Sequence, residues 1–144
     1  MKLLYPTSLE LDPALLGGYD VKTPLPPEHH DAEILVTWSN SAEMLRDAAQ
    51  TLTKLRWVQS LAAGPNDVLS AGFPGGVVVT TGSGLHDHTV AEHTLGLLLN
   101  AARRFFEMRD FQTLRRWPGH LGGPQPDRPE NSFRTLQGAN ILLW

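Results

Sequence analysis

Cysteine is absent from all 144 residues. That excludes a disulfide framework, a thiolate nucleophile and a Cys-ligated zinc site together. It is compatible with a reducing compartment, and the expected location is cytoplasmic. Long apolar runs are missing too: no stretch approaches the ~18 residues that a membrane span needs, so no membrane partner is expected. Excess positive charge is also lacking. The formal net charge is -3 and the lysines and arginines form no basic patch, which argues against nucleic acid as a partner. The start, "MKLLYPTSLELD", carries one Lys and a short apolar run broken at Pro6, so it reads as a first strand and not a signal peptide. A Ser/His/Asp order with a nucleophile elbow and an internal repeat are both absent.

What is present is the composition of a globular domain, 41% hydrophobic and 19% charged, at single-domain length. Short apolar runs alternate with amphipathic stretches. "KLLY", "YDVK", "AEILVTW" (Ala32 to Trp38), "LRWVQSLA" (Leu55 to Ala62) and "GVVVTTG" (Gly76 to Gly82) read as five strands. "LDPALLGG" reads as a short helix, with Pro inside its start and Gly past its end. Ser41 offers an N-cap to "AEMLRDAAQTL", where Met44, Leu45, Ala48, Ala49 and Leu52 recur at helical spacing. This alternation predicts a parallel sheet in a flavodoxin-like doubly wound α/β domain, with helices on both faces.

From Asp87, placed as N-cap, one long helix is expected through "DHTVAEHTLGLLLNAARRFFEMRDFQTLRR". Between Val90 and Ala102 it is apolar nearly all round, which predicts burial on most sides. At ~1.5 Å per residue it runs roughly 40 Å, more than a small domain needs. After Trp117, "PGHLGGPQPDRPENSFR" is rich in Pro, Gly and charge and reads as a linker. "LQGANILLW" then has the two-sided apolar pattern of a buried parallel strand. The expected organisation is a first domain at 1–112 carrying the long helix, a linker at 113–134, and the first strand of another domain at 135–144.

Several motifs invite chemistry. Gly82-Ser83-Gly84 lies between a strand and a helix, but Asp87 stands where a dinucleotide fingerprint has its third glycine. No acidic strand end follows ~20 residues on, so a turn into the helix is the better reading. His86, His88 and His93 lack metal-site spacing, and His88 with Glu92 equally makes a surface pair; no metal is expected. His29-His30 reads as a solvated loop. "SLAAGPND" ends a strand with Ala62, Ala63 and Gly64, whose small side chains leave their amides open to an anion such as a carboxylate. A plain strand-to-helix turn capped by Asn66 or Asp67 fits the same residues. "TWSN" (Thr37 to Asn40) opens towards the same crevice, with Trp38 as a pocket wall or a cover on the sheet edge.

The run "LRWVQSLAAGPNDVLS", followed by "VVVTTGSGLHDHTVAEHTLGLLLNAARRF", resembles the N-terminal domain of the D-isomer-specific 2-hydroxyacid dehydrogenases. The likeness is nearest to the subgroup acting on glyoxylate, hydroxypyruvate and related small 2-oxo acids. The resemblance implies a substrate domain joined by long helices to a Rossmann domain, with NAD or NADP as cofactor. It implies that the backbone amides of Ala63 and Gly64 hold the substrate carboxylate, that Trp38 and Ser39 line the substrate side, and that Val90 lines the nicotinamide. It implies a homodimer through the long helix 87–112. It also implies that "LQGANILLW" is the opening strand of the Rossmann domain, so the phosphate loop and the catalytic Arg, Glu and His have no counterpart here. The expectation is a substrate-binding half, inactive alone. The alternative is a non-catalytic dimerisation or carboxylate-binding module derived from that family.

Overall fold

The computed structural model describes residues 1–11, 17–121 and 135–142. The chain divides into two compact units, Met1–His86 and Asp87–Trp144. In the first, five strands form one parallel sheet: β1 (Leu3–Pro6), β2 (Gly17–Tyr19), β3 (Ile34–Thr37), β4 (Trp57–Ser60) and β5 (Val78–Thr80). Their order is β2-β1-β3-β4-β5, the flavodoxin-like arrangement, in which the winding direction reverses between β1 and β3.

The register explains the core. Leu4, Leu35, Val58 and Val79 are paired in one row across the sheet. Leu4, Leu35 and Val58 are fully buried. Helix α1 (Ala42–Thr51) lays Met44, Leu45 and Ala48 on that row, and α2 (Asn66–Ser70) adds Val68. The adjacent row, Leu3, Ile34, Trp57 and Val78, faces the other way. Along it Ile34 is buried whereas Trp57 and Val78 are exposed.

Ser41 caps α1 as expected, its hydroxyl accepting from the Met44 amide at 3.1 Å. Two expectations shift. Gly17 and Gly18 belong to β2; the helix expected in "LDPALLGG" falls on 12 to 16, which lie outside the described residues. Small residues are required here because a Cβ on Gly17 would come within 2.8 Å of the Leu4 side chain. The His29-His30 stretch is not a solvated loop. Its 3-10 turn, Pro27–His29, points the His29 Nε2 at the Gly18 carbonyl (3.2 Å) and the His30 Nε2 at the Leu25 carbonyl (3.1 Å), tying the crossover to the sheet.

In the second unit the expected single helix is two: α3 (Asp87–Arg103) and α4 (Phe105–Thr113). Arg104 between them is left-handed (φ 55°, ψ 44°), which no continuous α-helix tolerates. Its guanidinium reaches Glu107 at 2.5 Å, and Glu107 also meets the His120 imidazole at 2.6 Å. Asp87 lies inside the first turn of α3, not at the cap. Burial departs further from expectation: Val90, Leu95, Leu97 and Leu99 are exposed, and Ala102 is the buried residue of α3. Residues 135–142 contain a turn at Leu136–Ala139 and no strand. An extended apolar segment becomes a strand only by pairing, and these residues join no ladder among the described residues. Residues 143 and 144 lie outside them.

Candidate functional site

The site is built at the carboxyl ends of β3 and β4, beside the reversal in strand order where ligands collect in such sheets. β3 delivers Thr37 into the turn Trp38-Ser39-Asn40, and β4 delivers Ser60 into Leu61-Ala62-Ala63-Gly64. The two turns are laced together, since the Leu61 amide donates to the Thr37 carbonyl at 3.0 Å. Between them is a cavity of about 50 Å³ whose lining includes Trp38, Ser39, Ser60, Ala62, Gly64 and Asp67. Cavities for drug-sized ligands run from about 300 to 1,000 Å³, so this one suits a carboxylate-sized group.

Trp38, Ser39 and Gly64 are therefore brought together, with Ala63 exposed beside them in the β4 turn. Among the described residues no acceptor takes the Ala63 or Gly64 amide, although their neighbours are satisfied: Ala62 N–H donates to Ser60 Oγ at 3.2 Å. Gly64 is not present for its backbone freedom, because its φ is not positive, and a Cβ there would meet nothing within 4 Å. What its missing side chain does is leave the amide uncovered. The turn also leads into α2 at Asn66, with Pro65 at the N-cap position and no side-chain cap bond, so Asn66 and Asp67 do not cap it.

Trp38 forms one wall. Its ring lies 5.4 Å from the His86 ring at 32°, and His86 Nε2–H points to the Leu61 carbonyl at 3.2 Å. The missed contributor is Tyr19; Asn40 lies in the "TWSN" stretch expected at the crevice, but its bridging role is not anticipated there. The buried Tyr19 hydroxyl donates to the Val36 carbonyl (2.7 Å) and accepts from Asn40 Nδ2 (2.9 Å). Burial pushes the Tyr19 phenol well above its ordinary range, while the Asn40 hydrogen bond works in the other direction. Tyr19 could not be found by motif, because its link to this turn runs across three strands. The single carboxylate lining the cavity is Asp67, which opposes an anion and must weaken its binding.

Val90 stands exposed on α3 in the second unit. The Gly82-Ser83-Gly84 turn does not fit a pyrophosphate. A Cβ on Gly82 would sit 2.2 Å from the Leu61 carbonyl oxygen, so that glycine is explained by close backbone packing, and its amide already donates to Ala62 O at 2.9 Å. Among the described residues no His, Asp or Glu group forms a metal cluster. Likewise, no helix there is long and apolar enough to cross a membrane.

No family model and no curated protein matches the sequence. Among solved structures the chain is similar to a D-isomer specific 2-hydroxyacid dehydrogenase family protein from Aeromonas salmonicida subsp. salmonicida A449. The two are 26% identical with a TM-score of 0.52, over 61% of this chain and 27% of that one. The match therefore spans little more than a quarter of that structure. It supports a dehydrogenase-related family for the parallel α/β fold.

Proposed function

We propose that this chain supplies the carboxylate-binding side of a D-2-hydroxyacid dehydrogenase, acting on a small 2-oxo or 2-hydroxy acid. The observation that carries the reading is the pair of unsatisfied amides, Ala63 and Gly64, at the carboxyl end of β4, next to Ser39 and the Trp38 wall. Two amides aimed at an anion each contribute on the order of 1.5–3 kcal/mol in favourable geometry. Offset by Asp67 and by an open site, that corresponds to millimolar binding, roughly 1–10 mM. The likeness to a 2-hydroxyacid dehydrogenase family protein supports the choice of acid.

NAD or NADP would be the hydride carrier of such an enzyme. The residues described here do not form its phosphate site, because Gly82 is committed to packing on Leu61. No hydride step is assigned to them, and the 144 residues alone are expected to show no glyoxylate reduction above background. Exposed Val90 is an apolar surface of the kind a nicotinamide ring packs on, and it remains the proposed contact. The exposed Leu95, Leu97 and Leu99 support pairing of two copies through residues 87–112.

The test is an amide NMR titration with glyoxylate. Saturable shifts concentrated at Ala63, Gly64 and Ser39, absent with the methyl ester, are the expected result. Absence of saturation up to tens of millimolar sinks the reading. The rival reading, a carboxylate-binding module without redox chemistry, predicts the same shifts but no rise in melting temperature with NADPH, whereas an NADP-using dehydrogenase is stabilised by it.

A further inference from the structure

We propose that Tyr19 and Asn40 are positioning residues for this site, holding the Trp38-Ser39 turn in the one conformation that complements the Ala63-Gly64 amides. The inference rests on the carboxylate reading above. Ser39 has φ 57°, in the left-handed region that non-glycine residues rarely enter. Such a conformation persists only where the surroundings over-determine it, and here they do.

Asn40 uses both ends of its amide. Oδ1 accepts from the Trp38 N–H at 2.9 Å, a bond that bridges over Ser39 and closes the turn. Nδ2 donates to Tyr19 Oη at 2.9 Å and approaches Met44 Sδ at 3.0 Å. Tyr19 comes from the end of β2, and its hydroxyl crosses past β1 to the Val36 carbonyl on β3 at 2.7 Å. The Trp38 end of β3 is thus anchored to the far edge of the sheet, through a buried Tyr19 and a half-buried Asn40 whose side-chain polar atoms are all partnered. A turn that served only to leave the sheet would not need this span. Tyr19 does not line the cavity; Asn40 does, but both ends of its amide are committed to Trp38, Tyr19 and Met44, so both residues act through Trp38 and Ser39.

The experiment uses the whole 144-residue chain and two readouts. One is hydrogen exchange of the Trp38 amide without ligand; the other is glyoxylate affinity by NMR titration. Asn40→Ala is expected to speed Trp38 exchange roughly tenfold and to weaken glyoxylate about fivefold or more, the scale of one lost hydrogen bond. Tyr19→Phe keeps the Asn40–Trp38 bond and should move both readouts the same way by about two- to threefold. Leu52→Val, a buried core change at the end of α1, is the control for general loosening and should leave affinity unchanged.

Unchanged exchange and affinity in folded Asn40→Ala would overturn the proposal, as would an equal loss of affinity in Leu52→Val. If Asn40→Ala does not fold, Tyr19→Phe decides by the same two readouts. If the wild-type chain binds no glyoxylate, the carboxylate reading falls and takes the ligand half of this proposal with it. Exchange at Trp38 still decides whether Tyr19 and Asn40 hold the turn.

Discussion

The two units spend their apolar residues in opposite ways. Before His86, Leu4, Leu35, Met44, Leu45, Ala48 and Val58 are all within 2% of complete burial. After it, Ala102 is the buried hydrophobic residue, while Val90, Leu95, Leu97, Leu99, Phe105, Phe106 and Trp117 are exposed among the described residues. The difference is one of geometry and not of composition. Strand, crossover and strand bring residues distant in sequence into one row, and a helix laid over that row completes a core. A helix apolar on several sides has no such closure within itself and needs another surface. The first unit therefore closes a core of its own beneath the crevice, and the second presents a face suited to a partner.

The sharpest way to break this contrast is to cut the same amount from each unit. Leu35→Ala should cost about 2–5 kcal/mol, because it opens a cavity in a filled row. Leu97→Ala, on a 54% exposed residue, should cost less than about 0.5 kcal/mol in the monomer. Urea denaturation of both variants measures the difference. If Leu97→Ala costs as much as Leu35→Ala, and the cost depends on protein concentration, the α3 face is buried between copies and the proposed dimer gains its support.

Gly82→Ala comes next, and tests the seam at which the first unit supports its site. The added methyl would stand 2.2 Å from the Leu61 oxygen and 2.7 Å from its carbon, both backbone atoms that cannot rotate away. A loss of about 1–3 kcal/mol is expected, as for other overpacked positions. Gly64→Ala should be nearly neutral for stability, since nothing lies within 4 Å of the added group. Equal losses at the two glycines would mean that the β4 turn is not the open surface described.

Much of the fold was legible in the sequence, and the part that was not has a common cause. Ile34–Thr37, Trp57–Ser60 and Val78–Thr80 fall inside the predicted strands because β-branched and apolar runs bounded by turn residues leave few alternatives. The Ser41 cap was readable because capping is local. The break at Arg104 was not: "ARRFF" has no Pro or Gly, and the left-handed residue carries a side chain that ordinarily continues a helix. The solvated reading of His29 and His30 failed for a different reason. Their partners, Gly18 and Leu25, are carbonyls, and no residue type advertises a carbonyl.

The candidate site divides along the same line. Trp38, Ser39, Ala63 and Gly64 were placed by turn chemistry and by resemblance, and the structure gathers them at one sheet edge. Tyr19 and its link to Asn40 could not be placed, because that link lies in a span across strands whose order only the fold reveals. A smaller test of that site concerns Asp67. Removing its charge with Asp67→Asn should tighten glyoxylate binding about two- to threefold at low salt, the scale of one unit charge several ångströms away in a wet site. The gain should shrink as salt is added. If affinity does not move, the bound carboxylate is not in this cavity.

The smallest expected effect belongs to the surface of the first unit, where Lys2 Nζ holds Asp31 at 2.7 Å and also donates to the Glu28 carbonyl. That hydrogen bond, chiefly, keeps the Asp31 carboxyl below its ordinary range, with the Lys2 charge adding to it. A carboxyl whose folded pKa is depressed binds fewer protons folded than unfolded at intermediate pH. Its contribution is therefore complete above the usual aspartate range and is lost as pH falls through the lowered folded value. Asp31→Asn should flatten the acid limb of stability against pH and leave neutral-pH melting almost unchanged, because the pair is exposed and screened. A loss at neutral pH as large as that of Gly82→Ala would show that Lys2 and Asp31 are fastening the crossover to β1. The first unit would then depend on its rim as well as its core, and the contrast with the second unit would narrow.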